Sequence, residues 1–560
     1  MATETTFDIV IAGGGTAGCA LASRLKQGNK SLSIALIERG SDDHTNELVM
    51  NAWGRTRLEG AGLDTPYPTV PQKHMDDRVI KLHAGNVLSG SSAANAGFWM
   101  RPDRKDLDLW AGHLDGEEGS ERWTYQGLLP HLKRIESHWD REGSDREAHG
   151  FDGPFKTRTS PELPLRQPIH DGLVSLGFED NPDNLNGTPF GIGRHCDNWT
   201  PLRQPAAAVY DLSGVSVITN ATIHKILLEK KYGQDVRATG VQLVDGRKFL
   251  ASKEVVLSCG AYRTPQILLL SGIGPAEDLF RHGIETIVDS PHVGKTFFDH
   301  SGIFIPWKLD SAAAEAGLAM GHPKYMANPS FKGATPIDWM TIGALDPSAL
   351  QKQLQKDSPT ASISPTHPLL AHRAHYWLAT TYYASGSISG EGMQEIPFDG
   401  NYITFSTLNF LPTSRGTITL SSSNPLDYPV CDPNYFATEH DRFVLREGIR
   451  QILRLAQSEP LQPYLSPTDQ LAPTNFPPLS LSTTDADLDA RVRRSAITIH
   501  HGMGSASMGK VVDAKLRVKG VRGLRVCDAS VFPGPLSATP QAVVYAVAES
   551  CAEMMVGELA

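Results

Sequence analysis

The first candidate for chemistry is a glycine-rich turn near the start of the chain. A GxGxxG pattern follows directly after an apolar run, and the acidic Glu38 follows 20 positions after the last glycine of the pattern. Glycines at this spacing allow a tight turn and bring backbone N–H groups to a pyrophosphate at the start of a helix. A carboxylate at Glu38 can accept hydrogen bonds from a ribose and would repel a 2′-phosphate, so the pattern predicts FAD or NAD rather than NADP. The residues placed around the pyrophosphate are Gly13, Gly15, Thr16, Ala17 and Gly18.

Other residue clusters that could do chemistry carry weaker patterns. His367, His372 and His375 include a pair at helical spacing, but no nearby cysteine or acidic residue completes a ligand set, so no metal is predicted. The six cysteines lie far apart without a CxxC pair, and neither a zinc site nor a disulfide framework is predicted. Serine hydrolysis has no support, because no GxSxG motif is present.

A strand, a helix and a second strand must position the glycine turn. Residues 7–12 form a short branched apolar run typical of a buried parallel strand, residues 19–25 continue as a helix, and a second strand at 32–37 ends at Glu38. These three segments make a unit of the doubly wound type. Further predicted strands cover 215–219, 223–228, 240–243, 254–258 and a segment from Leu524, and further predicted helices cover 441–456 and 540–555.

Length and charge limit the class of protein. A chain of 560 residues exceeds what one hydrophobic core usually serves, so two or more domains are expected. A net charge of −10 lacks the basic field that nucleic-acid binding requires. We see neither a secretion signal nor an uninterrupted apolar stretch of about 18 residues, and we therefore expect a cytoplasmic protein without a membrane partner.

Several further segments resemble the glucose-methanol-choline (GMC) oxidoreductase family, in the order that the family has them. GNVLSGSSAANAGFWMRP at 85–102 is similar to its first signature, and GAYRTPQILLLSGIG at 260–274 to its second. NPLDYPVCDPNYF at 424–436 resembles the substrate-domain boundary, and HHGMGSASMG at 500–509 with LRVCDASVFPGPLSATPQAVVYAVAE at 524–549 resembles the catalytic and terminal flavin-binding segments. Ser89 departs from the family, in which a second glycine usually precedes Gly90, and a serine there would be strained if the backbone needs a glycine conformation.

The resemblance implies an α/β fold, with a Rossmann-like FAD-binding domain of the GMC type and a second α+β substrate-binding domain built on an antiparallel sheet. It places a discontinuous FAD-binding domain at 1–300 and 491–560 and the substrate-binding domain at 301–490, with parts of 150–205 as candidates to join the latter. The stretch 307–412 is rich in Ala, Ser, Pro and His and in loop signals, has few long periodic runs, and is interpreted as part of the substrate-facing domain.

The resemblance also implies FAD as the cofactor. Some members of the family attach FAD covalently through a histidine just before the asparagine of the first signature, and Ala94 occupies that position here, so we expect non-covalent FAD. Beyond the glycine turn and Glu38, the residues that the resemblance places at the cofactor are Val87, Ser91, Asn95, Ala96, Ile223, Asp528, Ala529, Pro540 and Gln541.

Two positions carry the predicted catalysis. His501 matches the family's catalytic histidine, and a neutral imidazole can accept the hydroxyl proton as hydride leaves the carbinol carbon for flavin N5. His500 precedes it, where an extended backbone would point the ring away. Thr539 stands where the family usually has a second histidine or an asparagine, and threonine cannot act as an imidazole base. Three explanations stay open: Thr539 still positions the substrate hydroxyl, a substrate-domain residue takes over, or the reaction is not ordinary alcohol oxidation.

The sequence therefore predicts an FAD-dependent alcohol oxidase or dehydrogenase. Its expected partners are a primary or secondary alcohol, of aromatic or natural-product type, and dioxygen or another electron acceptor. Thr539 motivates an alternative, an FAD-containing lyase or other GMC-like catalyst that does not oxidise alcohols. A flavin-binding protein without catalysis is a third possibility. The oligomeric state and the individual substrate are not predicted.

Overall fold

The computed structural model describes residues 4–51, 54, 57–230, 235–331, 335–384, 398–467 and 476–559. The strands of its two large sheets are β1 (Glu4–Ala12), β2 (Ile34–Ile37), β3 (Gly191–Arg194), β4 (Ser216–Ile218), β5 (Ile223–Glu229), β6 (Val236–Leu243), β7 (Lys248–Leu257), β8 (Ser301–Lys308), β9 (Ile337–Gly343), β10 (Tyr376–Thr381), β11 (Tyr402–Asn409), β12 (Ile497–Thr498), β13 (Val521–Arg522) and β14 (Leu524–Val526). The helices of nine or more residues are α1 (Thr16–Gly28), α2 (Arg104–Gly112), α3 (Tyr125–Ile135), α4 (Arg166–Ser175), α5 (Gly260–Leu270), α6 (Pro347–Asp357), α7 (Glu439–Ala456), α8 (Asp485–Ser495) and α9 (Gln541–Leu559).

The first large sheet is mixed and holds the glycine turn. Its strand order is β4-β2-β1-β7-β6-β5, with β13 beside β6 and β14 beside β7. β1 runs parallel to both β2 and β7, whereas β5 and β6 are antiparallel. Residues 9–12 of β1 are fully buried, as expected for a central strand covered on both faces. The helices α1 and α9, from opposite ends of the chain, pack against each other beside this sheet.

The second large sheet is antiparallel. Its order is β12-β8-β11-β10-β9-β3, and every neighbouring pair is antiparallel. Helix α7 covers one face so closely that a Cβ at Gly448 would lie 2.1 Å from Oγ1 of Thr407 in β11. The fold class is therefore confirmed: a Rossmann-like sheet and a second, antiparallel sheet share one α/β chain.

The predicted strands and helices are present, and the antiparallel sheet that the resemblance implied for the second domain runs through the stretch with few periodic runs. The strands β9, β10 and β11 lie within 307–412, where the sequence pattern did not delimit individual strands. Threonine and serine are buried in these strands because their hydroxyls bond to neighbouring backbone: Oγ of Ser406 donates to the carbonyl of Ala379, and Oγ1 of Thr381 to that of Thr404. Polar side chains therefore interrupt the apolar pattern from which strands are recognised.

The strand β7 begins earlier than predicted, at Lys248 instead of position 254. It does so because its first half pairs with β6, the strand that precedes it along the chain. No helix within the described ranges is long and apolar enough to cross a membrane. The domain limits stay a prediction; β3, within 150–205, hydrogen-bonds to β9 of the antiparallel sheet.

Candidate active site

The glycine turn forms a site for an anionic group at the start of α1. Gly13 has φ +105°, and a Cβ there would lie 2.4 Å from the carbonyl oxygen of Ser258. A Cβ at Gly18 would lie 1.9 Å from the carbonyl oxygen of Gly13. Helix α1 begins at Thr16 with Gly15 as its N-cap, without a capping side chain and without an acidic residue in its first turn. The N–H groups at the helix start and its positive dipole end therefore suit a pyrophosphate.

A second loop, residues 89–92, closes this site from the other side. The backbone N–H of Ser89 donates to the carbonyl of Gly14 at 2.7 Å, and that of Ser92 to Oγ1 of Thr16 at 3.2 Å. A Cβ at Gly90 would come within 2.8 Å of Cα of Gly15, so the two loops meet backbone to backbone. A Cβ at Gly15 itself would have its nearest protein atom at 3.8 Å. The space beside Gly15 is thus open where a phosphate would approach.

Ser89 has the strained backbone that its departure from the family pattern suggested. Its φ of 92° and ψ of −14° lie in the left-handed region, which non-glycine residues seldom adopt. The hydroxyl of Ser89 compensates by accepting a hydrogen bond from the backbone N–H of Ala207 at 2.8 Å. The serine hydroxyl therefore holds the segment at Ala207 in place, and a glycine at position 89 could not do so.

The cost of the backbone strain at Ser89 can be measured with two substitutions. Both Ser89→Ala and Ser89→Gly remove the hydrogen bond to Ala207, but only alanine keeps the strain, which costs about 1 kcal/mol. We expect the alanine variant to be less stable than the glycine variant by that amount in urea unfolding. Equal stability of the two variants would show that the backbone at Ser89 is not strained.

Glu38 lies beside the same turn. Its Oε2 accepts from the backbone N–H of Gly14 at 2.9 Å and its Oε1 from that of Gly40 at 2.8 Å. Burial raises the pKa of this carboxyl. A carboxylate offers about four acceptor positions, so the two backbone contacts leave room for the predicted ribose. Ile223 begins β5 close by, since the carbonyl of Glu38 accepts from the N–H of Ala221 at 2.9 Å.

Predicted cofactor residues from distant segments also make contacts across the fold. Nδ2 of Asn95 donates to Oε1 of Gln541 at 2.5 Å, and Nε2 of Gln541 is buried without a partner in the described chain. Asp528 accepts from the N–H of Gly260 at 2.9 Å, and the carbonyl of Ala529 accepts from the N–H of Gly504 at 3.1 Å. The remaining predicted positions are Val87, which is bridged to Ser41, Ser91 in a 3-10 turn, Ala17 inside α1, Ala96 after Asn95, and Pro540 directly before α9.

His501 lies on a segment that joins the two sheets, and His300 accompanies it. The Nδ1 atoms of His300 and His501 are 3.0 Å apart. Desolvation, followed by the neighbouring His300 and His500, lowers the pKa of His501 well below its usual value. Burial also lowers the pKa of His300 to about 4. Both rings are therefore neutral near pH 7, and the Nδ1–H of one ring donates a hydrogen bond to Nδ1 of the other.

Asp299 fixes the backbone beneath this pair. Its Oδ1 accepts from the backbone N–H of His501 at 2.8 Å. Its Oδ2 accepts from the hydroxyl of Tyr435 at 2.5 Å and from Oγ1 of Thr498 at 2.6 Å. Burial raises the pKa of this carboxyl to about 6. One carboxylate thus ties together the start of β8, the end of β12 and the segment before α7.

The backbone prediction for His500 is wrong. His500 has φ 61°, a left-handed conformation, and is not extended. Its ring packs edge-on against that of His83 at 5.1 Å, and its Nδ1 accepts from the backbone N–H of His83 at 3.3 Å. The two neighbouring histidines therefore contact different rings, since His501 faces His300.

Thr539 and His300 occupy different places in the site. Oγ1 of Thr539 donates to the carbonyl of Phe98 at 3.2 Å. His300 was missed from the sequence, although it directly precedes β8, and its Nε2 is buried without a partner among the described residues. His300 is the last residue of the predicted FAD-binding range 1–300, so a second histidine stands beside His501 without coming from position 539 or from the predicted substrate domain.

An apolar cluster covers the face of the antiparallel sheet opposite α7. It joins side chains of β9, β10 and β11 to residues near the catalytic segment and near Thr539. Phe410 connects this cluster to the catalytic pair, because its ring packs against that of His300 at 5.4 Å. The buried members of the cluster are Met100, Ile337, Met340, Ile342, Ala374, Trp377, Ala379, Leu408, Phe410, Leu411 and Ala538.

One histidine group in the described ranges has metal-ligand spacing, but it is already charge-compensated. Glu136, His138 and His149 place potential ligand atoms within 4.8 Å of one another. Both nitrogens of His149 contact carboxylates, those of Glu136 and Asp183, at 2.9 Å, and Arg101 forms an ion pair with Glu136. We interpret this group as a buried ion-pair network. His375, of the triad considered in the sequence, uses both ring nitrogens on backbone groups.

Comparisons with known proteins agree on one family. Two family models described as GMC oxidoreductase match residues 7–302 and 412–548. The GMC-type oxidoreductase acuG of Aspergillus aculeatus is 37% identical over 99% of both chains, and the dehydrogenase str4 of Strobilurus tenacellus is 32% identical over 99% of this chain and 94% of its own. A solved structure of formate oxidase from Aspergillus oryzae RIB40 aligns with a TM-score of 0.85 at 26% identity, over 99% of this chain and 98% of that chain.

Proposed function

Because the chain belongs to the GMC oxidoreductase family, we propose that it oxidises a primary or secondary alcohol, of aromatic or natural-product type, to the carbonyl compound with His501 as the base. The family implies FAD as the cofactor. The open backbone at Gly15, the uncapped start of α1 and the unpaired Nε2 of Gln541 fit FAD. Without a histidine at Ala94, we propose that FAD is held non-covalently; acid precipitation of the protein should then release it.

The observation that carries this proposal is the contact between His300 and His501. A base for alcohol oxidation must be neutral before the reaction and able to hold a proton afterwards. Desolvation keeps His501 neutral. With Nδ1 of His501 donating to Nδ1 of His300 at 3.0 Å, the ring is oriented and Nε2 is the unprotonated nitrogen for the substrate hydroxyl. FAD, when bound, supplies the hydride acceptor.

The other residues hold this base in place. Asp299 fixes the backbone N–H of His501, and the apolar cluster excludes water from the region where the substrate would lie. Thr539 fixes the carbonyl of Phe98 and so positions one wall of that region. Residues of the chain therefore remove the proton and place the substrate.

The proposal is tested by isotope labelling. Holoenzyme is supplied with an aryl alcohol deuterated at the carbinol carbon, first with dioxygen and then with a dye as acceptor. We expect one carbonyl product per two electrons accepted, and slower turnover of the deuterated substrate. Hydrogen peroxide in the first case identifies an oxidase, and turnover with the dye alone a dehydrogenase. Cleavage of a cyanohydrin without any electron acceptor would instead support the lyase alternative.

The pH dependence of turnover follows from the depressed pKa of His501. A histidine that stays neutral when folded is active above its folded pKa and inactive below it. We expect kcat/KM to be flat from pH 8 through 6.5, the ordinary histidine value, and to fall only at lower pH. The profile is measured with a non-ionisable alcohol, and flavin retention is checked at each pH. An acidic limb centred at or above the ordinary value would contradict a desolvated, neutral base.

The roles of His300 and Thr539 are separated by a pair of variants. Loss of an imidazole that orients the base should lower kcat/KM by roughly 10- to 100-fold in His300→Asn. Thr539→Ala should cost less than about tenfold, because the lost hydrogen bond to Phe98 is worth about 1 kcal/mol. His300→Asn should also move the acidic limb of the pH profile, which a merely structural role would not do. A larger loss in Thr539→Ala would assign the positioning role to Thr539.

A further inference from the structure

A row of rings leads from the catalytic histidines across the apolar cluster. His300 packs against Phe410 at a centroid distance of 5.4 Å, and Phe410 against Trp377 at 5.8 Å. Trp377 then contacts Phe98 at 5.6 Å, and Phe98 contacts His195 edge-on at 4.5 Å. An imidazole therefore stands at each end of an aromatic wall. His300 at the near end touches the proposed base, and His195 at the far end has no role in the chemistry described above.

The register of the antiparallel sheet places His195 on the same face as the apolar cluster. Gly193 of β3 lies opposite Met340, and Gly191 opposite Ile342. Met340 and Ile342 belong to the cluster. Side chains alternate between the two faces of a strand, so His195, two residues beyond Gly193, continues that face.

The far end of the wall holds polar atoms without partners. Both ring nitrogens of His195 and Nε1 of Trp377 are buried and lack a hydrogen bond in the described chain. Only 1% of His195 and 5% of Trp377 is exposed. Buried polar groups in native proteins are almost always paired, so a ligand or water is expected to pair with them.

His195 and Trp377 offer complementary hydrogen-bonding groups. Burial lowers the pKa of His195 to about 4, so one nitrogen carries a proton and the other accepts. Oδ2 of Asp197 lies 3.8 Å from Nε2 of His195, which favours the proton on that nitrogen and leaves Nδ1 as the acceptor. The indole N–H of Trp377 can only donate. One acceptor and one donor, both beside the ring of Phe98, match a hydroxyl group, which donates and accepts at once.

Resting on the proposed function, we propose that the substrate is an aryl alcohol with a second, phenolic hydroxyl on its ring, and that His195 and Trp377 recognise this hydroxyl. The aromatic wall would pack against the ring of the substrate while the carbinol group lies at His501. A methoxy group would satisfy only the indole N–H, and an unsubstituted ring would leave both polar groups unpaired. His195 and Trp377 are thus specificity residues and take no part in proton removal.

The proposal is tested with holoenzyme and a series of alcohols. Benzyl alcohol, 3- and 4-hydroxybenzyl alcohol and the two matching methoxybenzyl alcohols are compared by kcat/KM. We expect at least one hydroxylated alcohol to be preferred by roughly 10- to 100-fold over the others, as is typical when buried polar groups would otherwise stay unpaired. Binding is measured separately with 3- and 4-methylphenol, which lack the carbinol group, through their effect on the flavin absorbance spectrum.

Three variants connect the preference to these side chains. His195→Phe and Trp377→Phe should each remove most of the preference for a phenolic hydroxyl. His195→Asn keeps an acceptor near the position of Nδ1 and should therefore retain part of the preference. The matched control is Trp339→Phe: Trp339 lies on the opposite face of the same sheet, where its Nε1 donates to the carbonyl of Arg166. This control should keep the preference of the parent protein.

The outcomes separate this proposal from the proposed function. Flavin reduction by all five alcohols without a preference for the phenols would overturn the assignment of His195 and leave alcohol oxidation standing. Methylphenol binding that depends on His195, without reduction by any alcohol, would support the phenol site and contradict the oxidation. A preference that survives unchanged in both His195→Phe and Trp377→Phe would also overturn the proposal.

Discussion

The His501→Gln variant is expected to bind FAD normally and to reduce it with alcohol roughly 10²- to 10⁴-fold more slowly, the range that general-base catalysis usually supplies. Glutamine has a similar reach to histidine but cannot accept the hydroxyl proton near neutral pH. The backbone N–H of His501 would still bond to Asp299, so the segment should keep its position. The measurement is single-turnover flavin reduction under anaerobic conditions, which separates the chemical step from product release.

The matched control for this variant is His500→Gln. His500 is adjacent in sequence but packs against His83 at the surface of the site. Surface substitutions usually change free energies by less than about 0.5 kcal/mol, so we expect a change in rate of about twofold. Equal losses of rate in the two variants would refute His501 as the base. The absorbance spectrum of each purified variant is recorded first, because the rates can be compared only if both variants bind flavin.

The Gly15→Ala variant is expected to fold and to lose FAD. The φ of −82° at Gly15 is open to alanine, and the added Cβ would have no protein atom closer than 3.8 Å. It would project into the space where the pyrophosphate is proposed to approach. Overpacking there by one methyl group costs about 1–3 kcal/mol, which corresponds to roughly 10- to 100-fold weaker binding. The measurement is a titration of the apoprotein with FAD, followed by flavin fluorescence.

Two controls show whether the effect is local. Gly112→Ala, at the end of α2, adds a Cβ with no atom within 4 Å and should bind FAD like the parent protein. The thermal stability of the flavin-free protein should be the same in Gly15→Ala as in the parent. If Gly15→Ala binds FAD with unchanged affinity, the pyrophosphate does not lie at the start of α1.

The glycine turn could be predicted from the sequence because its pattern lies within one short segment. Gly13, Gly15 and Gly18 follow one apolar run within a few residues, and the structure has the strand, turn and helix where the pattern placed them. The contact that requires glycine at position 18 is local, since a Cβ there would meet the carbonyl oxygen of Gly13, whereas Gly13 itself is limited by Ser258. The strain at Ser89 was also foreseeable, because one backbone angle decides it. The resemblance to a family predicted further cofactor residues on segments that are far apart in the sequence.

The substrate side could not be predicted in the same way. His300 meets His501 across 201 positions of sequence, and the aromatic wall combines residues of β10 with residues that precede and follow it in the chain. No periodic pattern records such contacts, because they depend on the register of an antiparallel sheet whose strands contain buried threonine and serine. His195, a lone histidine after a four-residue strand, carries no signal in the sequence at all.

The central claim, that this chain oxidises alcohols at a bound flavin, is tested most directly by one anaerobic spectrum. The purified protein is placed under nitrogen, and its visible absorbance is recorded before and after addition of the benzyl alcohol series. We expect the oxidised flavin spectrum to bleach with at least one alcohol and to return when an electron acceptor is admitted. A bound flavin that no alcohol of the series bleaches would contradict the proposed oxidation, and a protein without flavin would contradict the cofactor site on which it depends.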